Sequence, residues 1–357
     1  MSASHRTLRI LRLASGKSAT AMTRALPAAH RVFTTSSVVS RANTVDDSKV
    51  PTTVYTTEGK LRTAIPVSPK ERAGPAAPQP NEMEDLTTLS DEIYKMLPAT
   101  LKALTVKGKV IIITGGARGL GNFMARACAE AGAKAIALFD ANQELGDASA
   151  ADLHDKTGLP VTFYKIDVRN EAAIQAAVES VKGSYGTPDA LINAAGIADS
   201  NIPAEMYDAT MFRRLIDINL TGSFLMSQAV GRAAIAAGKP ASIVLVASMS
   251  GSIVNYPQEQ SCYNASKAGV IQLGRSLAAE WAKYNIRVNC ISPGYMDTAL
   301  NKVPALDAQK KIWKGLTPQE RLGNVDELNG LCVFLASDAS SFMTGANCVI
   351  DGGYSLY

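Results

Sequence analysis

Histidine is almost missing from this chain of 357 residues, occurring only at positions 5, 30 and 154. One imidazole beyond residue 100 leaves little room for a multi-histidine zinc site or a Ser-His-Asp triad, and no metal is expected. Aromatic residues are scarce at 6%, while Ala and Gly are plentiful. Small side chains let helices lie close to a sheet, which favours an α/β fold over a β-sandwich. The cysteines, Cys128, Cys262, Cys290, Cys332 and Cys348, are odd in number and form no CxxC pair. They read as small buried hydrophobes in a reducing compartment. No apolar run approaches the roughly 18–20 residues needed to span a bilayer, so no membrane partner is expected. The net charge of +4 is small and has no clustered basic face within the later sequence, so no nucleic-acid partner is expected either. What is present, 46% apolar residues, is enough for one large core.

The first 45 residues lack any acid. They carry Arg6, Arg9, Arg12, Lys17, Arg24, Arg31 and Arg41, and Asp46 is the first carboxylate. Leu8 and Leu11 lie three apart with arginines interleaved, so a helix here would set an apolar stripe beside a basic one. Arg9 and Arg12 interrupt the apolar stretch that a secretory signal needs. Residues 1–41 therefore suit a transit peptide for the mitochondrial matrix, with a processing-like stretch at 31–37; without a working address the protein would be cytoplasmic. Residues 42–81 hold Pro51, Pro66, Pro69, Pro75, Pro78 and Pro80 and few large apolar groups. They read as a flexible linker, part of a segment 42–103 in which 82–97 could form one short helix before Pro98.

From residue 104 to 357 the pattern alternates. Short β-branched or apolar runs lie at 110–114, 135–139, 161–166, 190–193, 242–247, 287–291 and 348–350. Between them are longer stretches with helical spacing, such as 122–131, 171–182, 212–237, 263–283 and 325–336. Continuous apolar strands are buried on both faces, and their alternation with helices predicts a doubly wound parallel sheet, a Rossmann-type single domain. Ligands then bind beyond the carboxyl ends of the strands.

Thr114-Gly115-Gly116-Ala117-Arg118-Gly119-Leu120-Gly121 follows the first of these strands and opens a helix. Glycines allow the backbone to turn sharply and approach a pyrophosphate, which then rests on the amide-rich helix N-terminus. Asp140 ends the next strand, 19 residues after Gly121. A carboxylate there can accept hydrogen bonds from adenosine ribose hydroxyls and would repel a 2′-phosphate, which favours NAD over NADP. Arg118, a cation in the same loop, pulls the other way and keeps NADP open. Tyr263 and Lys267 are four apart, so on a helix they share one face. A free phenol titrates near ~10; an ammonium one turn away favours the phenolate and makes Tyr263 a general acid/base.

The TGxxxGxG spacing, with the YxxxK sequence Tyr263-Asn264-Ala265-Ser266-Lys267, resembles the short-chain dehydrogenase/reductase family over about 250 residues. The resemblance implies further roles. Asp167-Val168 matches the family's adenine-contacting pair. Asn193-Ala194-Ala195-Gly196 matches its NNAG motif with Ala in place of the second Asn. Pro293-Gly294-Tyr295-Met296-Asp297-Thr298 matches the PGxxxT loop that holds the nicotinamide carboxamide. It also implies a catalytic set of Asn219, Ser248, Tyr263 and Lys267. Ser248 fits the Ser-x-x-Gly pattern through Gly251 but lies fifteen residues before Tyr263, two more than is usual; Ser250 meets the usual spacing. Ser248 is chosen here, with 253–261 as a longer substrate loop. The family usually forms dimers or tetramers through two long helices, here 212–237 and 263–283, so a homotetramer or homodimer is expected.

Residues 263–303 resemble the fungal polyol branch of the family, whose members interconvert pentitols or hexitols and ketoses. That implies a secondary alcohol/ketone oxidoreductase acting on a small polyol of the D-arabinitol type. Asn255, Gln258, Glu259 and Gln260 could hold its hydroxyls or be ordinary surface residues. Two other readings stand beside this one: a mitochondrial 3-oxoacyl-thioester reductase, which would normally use NADPH and need a basic patch for an acidic carrier protein, and a nucleotide-binding module without turnover.

Overall fold

The computed structural model describes residues 51–55, 62–66, 86–199, 201–298 and 306–357. The import segment expected at 1–41 lies outside them. Within the stretch expected to be a flexible linker, β1 (Pro51–Tyr55) and β2 (Arg62–Pro66) form an antiparallel pair. The physical reason is local. Thr52, Thr53 and Val54 and, opposite them, Thr63 and Ile65 are β-branched, and the two prolines face each other at the strand ends, Pro51 against Pro66, where they interrupt no ladder. The expected helix at 82–97 is shorter than the spacing predicts. Ser90 caps α1 (Asp91–Met96) by accepting from the Ile93 N–H, and after Pro98 a second short helix follows, α2 (Ala99–Ala103).

Seven strands form the main sheet: β3 (Val110–Thr114), β4 (Ala135–Asp140), β5 (Val161–Lys165), β6 (Ala190–Asn193), β7 (Ala241–Val246), β8 (Ile286–Pro293) and β9 (Asn347–Ile350). Their order is β5-β4-β3-β6-β7-β8-β9, and every pairing is parallel. This is the doubly wound parallel sheet that the alternation predicts. Successive residues of β3 serve opposite faces. Val110 and Ile112 join a core with α5 (Glu171–Tyr185), α7 (Gly222–Ala237) and α8 (Ser261–Trp281). Ile111 and Ile113 join a core with α3 (Gly119–Glu130), α4 (Gln143–Thr157) and α10 (Asn329–Ala336). Burying a side chain of this size stabilises by about 1.5–3 kcal/mol, so strands apolar on both faces are fixed in register.

The stretch 212–237, expected to be one helix, is interrupted. The helix α6 (Ala209–Ile216) passes into a π turn at Asp217–Thr221 before α7 begins. Helix α9 (Asp307–Leu316) lies in a stretch for which the sequence pattern offers no helix above. All five cysteines are free, four of them buried. The chain turns from β3 to β4 on one side of the sheet and enters β6 on the other, so the topological switch lies between β3 and β6.

Candidate active site

The glycine loop sits at that switch. Gly115 adopts φ +65°, the left-handed region, and a Cβ there would lie 3.0 Å from the Ala194 carbonyl. A Cβ on Gly121 would lie 2.4 Å from the Gly115 oxygen, so the first turn of α3 packs directly under the loop. Arg118, the exposed N-cap of α3, makes no side-chain cap, and Gly119 and Leu120 follow it as the first helical residues. The N–H groups of this first turn therefore face outward as anion donors. Around them the loop is pinned. Asn122 Nδ2 donates to the Gly116 carbonyl at 3.1 Å, Ser149 Oγ to the Ala117 carbonyl at 2.7 Å, and the Ala117 N–H to Asp140 Oδ2 at 3.2 Å. A close backbone approach with no Cβ in the way, at a free helix N-terminus, fits a dinucleotide pyrophosphate.

Across the switch, Thr114 Oγ1 donates to Asn193 Oδ1 at 2.7 Å and accepts from the Ala195 N–H at 3.0 Å; Asn193 Nδ2 donates to the Ser223 carbonyl at 3.1 Å. The backbone at Ala194 is thereby held beside Gly115. Val168 turns its side chain into the core, where a Cβ on Gly222 would meet its Cγ2 at 2.7 Å, so only its backbone is left for a ligand. Asp167 departs from a free carboxylate. Arg169 grips it through Nε at 2.9 Å and Nη2 at 2.5 Å, and these bonds hold the Asp167 pKa below its ordinary value. At the end of β8 lie Pro293 and Gly294, whose N–H donates to the Ile350 carbonyl at 2.8 Å, and Thr298 closes the described part of that loop.

Ser248, Tyr263, Lys267 and Asn219 converge beyond the ends of β6 and β7. Ser248 caps a short 3-10 turn, Met249–Gly251, and its hydroxyl is hydrogen-bonded with Tyr263. Lys267, 6% exposed, lies one turn along α8 with Nζ 5.6 Å from the Tyr263 ring centre and donates to the Val246 carbonyl at 2.8 Å. Burial brings its ammonium down to about 8, with Cys290 opposing. Burial also pushes the Tyr263 phenol above its ordinary value, the Ser248 bond opposing. Enclosure alone favours the neutral phenol, opposite to the lowering expected from a neighbouring ammonium. Asn219, in the π turn, accepts from the Ile197 N–H and donates to the Ile197 carbonyl, each at 2.9 Å, and donates to Ser266 Oγ at 3.0 Å. A Cβ on Gly196 would stand 3.2 Å from Asn219 Oδ1 and 3.6 Å from Lys267 Nζ, so this glycine keeps open the space between them.

The chain matches the family model described as "Enoyl-(Acyl carrier protein) reductase" over residues 115–355. This protein belongs to the short-chain dehydrogenase/reductase family. Its relatives include D-arabinitol 2-dehydrogenase (ribulose-forming) of Candida tropicalis, 42% identical over 265 residues that cover 70% of this chain and 93% of that protein. NADP-dependent mannitol dehydrogenase of Alternaria alternata is 39% identical over 286 residues, 79% of this chain and 98% of that one. Among solved structures, a gluconate 5-dehydrogenase from Burkholderia cenocepacia in complex with NADP and tartrate superimposes with a TM-score of 0.68 at 34% identity, covering 72% of this chain and 99% of that one. The short-chain dehydrogenase/reductase described here is an NAD(P)-dependent oxidoreductase.

In this family member the loop before Tyr263 exposes Val254 and Tyr256 but turns three of its four candidate residues inward. Asn255, Gln258 and Gln260 are buried, while Glu259 is half-buried and its carbonyl accepts from the Ile202 N–H. The three amides join groups that sequence reasoning missed. Gln258 Oε1 accepts from Trp313 Nε1 at 2.8 Å and from Gln309 Nε2 at 2.9 Å, and Asn255 Nδ2 donates to the Tyr295 hydroxyl at 3.0 Å. Trp313 stacks on Tyr295 with ring centres 4.1 Å apart. Trp313 and Gln309 lie on α9, four residues apart and hence on one face, but nothing in a short run of lysines and apolar residues ties that face to this loop. The one available signal was Asn264, directly after Tyr263, which accepts from Gln260 Nε2 at 2.8 Å.

Proposed function

We propose that this enzyme interconverts a polyol and the corresponding ketose, with NAD as the preferred cofactor. The observation that carries the substrate class is the wall beside Tyr263 and Ser248: a loop of buried amides rather than the apolar slot that a hydrocarbon chain would need. The names of the relatives quoted above point the same way. Gly115, Gly121 and the first turn of α3 would hold the pyrophosphate, Asp140 the adenosine ribose, and Asn193, Gly294 and Thr298 the nicotinamide end. The bound cofactor supplies the hydride acceptor or donor. The remaining chemistry belongs to the chain. Ser248 donates a hydrogen bond to the substrate oxygen and so orients it. Tyr263 takes the proton from the substrate hydroxyl in oxidation and returns it in reduction. Lys267 supplies the positive charge beneath Tyr263, and Asn219 fixes the backbone at Ile197 over the site.

A 3-oxoacyl-thioester reductase would need a free basic patch for its carrier. Two of the basic groups on and after α9 are paired instead: Lys310 with Asp307 at 3.1 Å and Arg321 with Glu327 at 2.6 Å. Two further readings complete the proposal. The leading 41 residues direct import into mitochondria, which a fluorescent fusion of that segment would show by co-localisation, and the enzyme works as a homo-oligomer. The deciding experiment follows nicotinamide absorbance with purified protein, giving NAD and NADP separately with arabinitol, mannitol, sorbitol and xylitol, beside Tyr263→Phe. NAD-linked turnover that the variant lacks is the expected result. Failure with every polyol, together with NADPH-linked reduction of an acetoacetyl thioester, would overturn it.

A further inference from the structure

The glycine loop is held from behind by a buried charge. Arg126 lies on α3, 5% exposed, one turn after Asn122. Its Nη2 donates to Asp152 Oδ2 on α4 at 2.5 Å, and Lys156 Nζ meets Asp152 Oδ1 at 2.9 Å. Its Nε donates to Asn122 Oδ1 at 3.2 Å. Burying an ion pair costs desolvation, and an apolar side chain of similar size would serve the core beneath α3 as well or better. Packing alone therefore does not account for an arginine at this position; the bond to Asn122 gives it a task.

That bond fixes the Asn122 amide. A guanidinium only donates, so the oxygen of Asn122 faces Arg126 and its Nδ2 faces the glycine loop, where it donates to the Gly116 carbonyl at 3.1 Å. The Gly116–Ala117 bond is trans, hence planar with its C=O and N–H opposed. With the Gly116 carbonyl held towards Asn122, the Ala117 N–H of the same peptide points the other way, and there it donates to Asp140 Oδ2 at 3.2 Å. The next peptide is set likewise by Ser149 Oγ, which donates to the Ala117 carbonyl at 2.7 Å. Donors thus run one way, from the buried guanidinium through Asn122 and the Gly116–Ala117 peptide to Asp140.

We propose that Asn122, its amide fixed by Arg126, is a positioning residue that holds the Asp140 carboxylate towards the adenosine ribose and so sets the preference for NAD over NADP. Both side chains are buried behind the loop and act on the cofactor only through it. The other oxygen of Asp140 accepts from the Asn142 N–H at 3.0 Å, so loss of the Ala117 bond leaves the carboxylate free to turn about that one contact. The inference rests on the reading in which Asp140 meets the ribose, and adds to it the groups that aim the carboxylate.

The test measures Kd for NADH and for NADPH by the fluorescence of the bound nicotinamide, and so needs no substrate. It compares the wild type with Asn122→Leu, Arg126→Lys, Asp140→Ala and the double variant Asn122→Leu/Asp140→Ala, each checked for folding by thermal melting. The wild type is expected to bind NADH more tightly than NADPH, and Asp140→Ala to lower that preference at least tenfold. Asn122→Leu should lower it at least fivefold, by weakening NADH while NADPH binds as well as before. Arg126→Lys keeps the charge beside Asp152 but lacks the planar fork that also reaches Asn122, and should shift the preference the same way by a smaller factor. In the Asp140→Ala background, Asn122→Leu should change the preference less than twofold, since no carboxylate is left to aim. An unchanged preference in a folded Asn122→Leu, an equal loss of both cofactors, or the full fall repeated in the double variant would overturn the proposal, because the asparagine would then only support the loop. If Asn122→Leu does not fold, Arg126→Lys alone and combined with Asp140→Ala decides by the same comparison. An Asp140→Ala that leaves the preference unchanged is a different failure, that of the ribose reading, and the proposal falls with it.

Discussion

Asp140 ends β4 with both carboxylate oxygens engaged, Oδ2 by the Ala117 N–H at 3.2 Å and Oδ1 by the Asn142 N–H at 3.0 Å. Held by its own backbone neighbours, the carboxylate cannot swing away from a ligand on the glycine loop, and its charge remains to oppose a 2′-phosphate. Asp140→Ser is expected to lower the ratio of kcat/KM with NAD to that with NADP at least tenfold, a change of about 1.4 kcal/mol, measured by initial rates with each cofactor. A ratio that stays put would pass the decision to Arg118. Lys267 offers a second test at this scale. In the unfolded chain a lysine titrates near ~10.4, whereas burial brings Lys267 to about 8 in the fold. Between those values the unfolded chain binds more protons than the native one, so this residue makes stability rise with pH from about 8 towards 10. Below that window both states are charged and the fold carries the full penalty, on the order of 3 kcal/mol. The thiols Cys262, Cys290 and Cys348 and the Tyr263 phenol, raised by burial, and Cys332, raised by its bond with Cys128 and by burial, act in the opposite sense above their ordinary values, so the Lys267 contribution is read as a difference between variant and wild type. Lys267→Met, followed by melting from pH 7 to 10 without added cofactor, should melt higher than the wild type at pH 7, by a margin that shrinks as pH rises through about 8 towards 10, and lose turnover. A lower melting point at pH 7 would show that the bond to the Val246 carbonyl outweighs the buried charge.

At the scale of the element, the π turn at Asp217–Thr221 is an unusual piece of backbone in the site. One residue beyond the ordinary helical repeat aims Asn219 at Ile197 and Ser266 and restarts the helix as α7, with Gly222 against Val168. Gly222→Ala puts a methyl 2.7 Å from Val168 Cγ2 and should destabilise by about 1–3 kcal/mol, with Val168→Ala relieving part of it. In urea unfolding of the two single variants and the double, the contact requires a coupling above about 0.5 kcal/mol. Strictly additive effects would mean that the helix shifts instead. The sequence pattern shows why some of this was legible and some not. Runs such as Val110–Thr114 are apolar on both faces, and that alone locates a central parallel strand. Gly115, Gly121, Tyr263 and Lys267 were legible because their chemistry dictates spacing. The π turn was not, since one extra residue barely disturbs the apolar stripe of 212–237. Gln258 and Gln260 were open to either reading, because an amide in a loop looks the same in sequence whether it meets water or Trp313. Nor does Asp167 show in sequence that Arg169 will close on it.

For the molecule as a whole, apolar side chains remain uncovered in several places, two of which lie on the helical layer and at the end of the sheet. Phe212 on α6 and Phe224 on α7 are exposed on the helical layer. At the other place β9 forms the end of the sheet, paired among the described residues only with β8, and near it in sequence Phe342, Val349, Leu356 and Tyr357 are exposed, Phe342 completely. A strand end with free backbone groups beside large apolar rings invites a neighbouring chain. A closed tetramer with three two-fold axes needs two different self-complementary faces, and the prediction assigns them to these two patches. Light scattering on the purified protein at micromolar concentration is therefore expected to give the mass of four chains. Phe224→Lys should leave a dimer joined through the β9 end, Phe342→Lys a dimer joined through the helices, and the pair together a monomer. A wild type that runs as a monomer would refute assembly altogether. A tetramer that survives both lysines would place the contacts on surfaces other than these two.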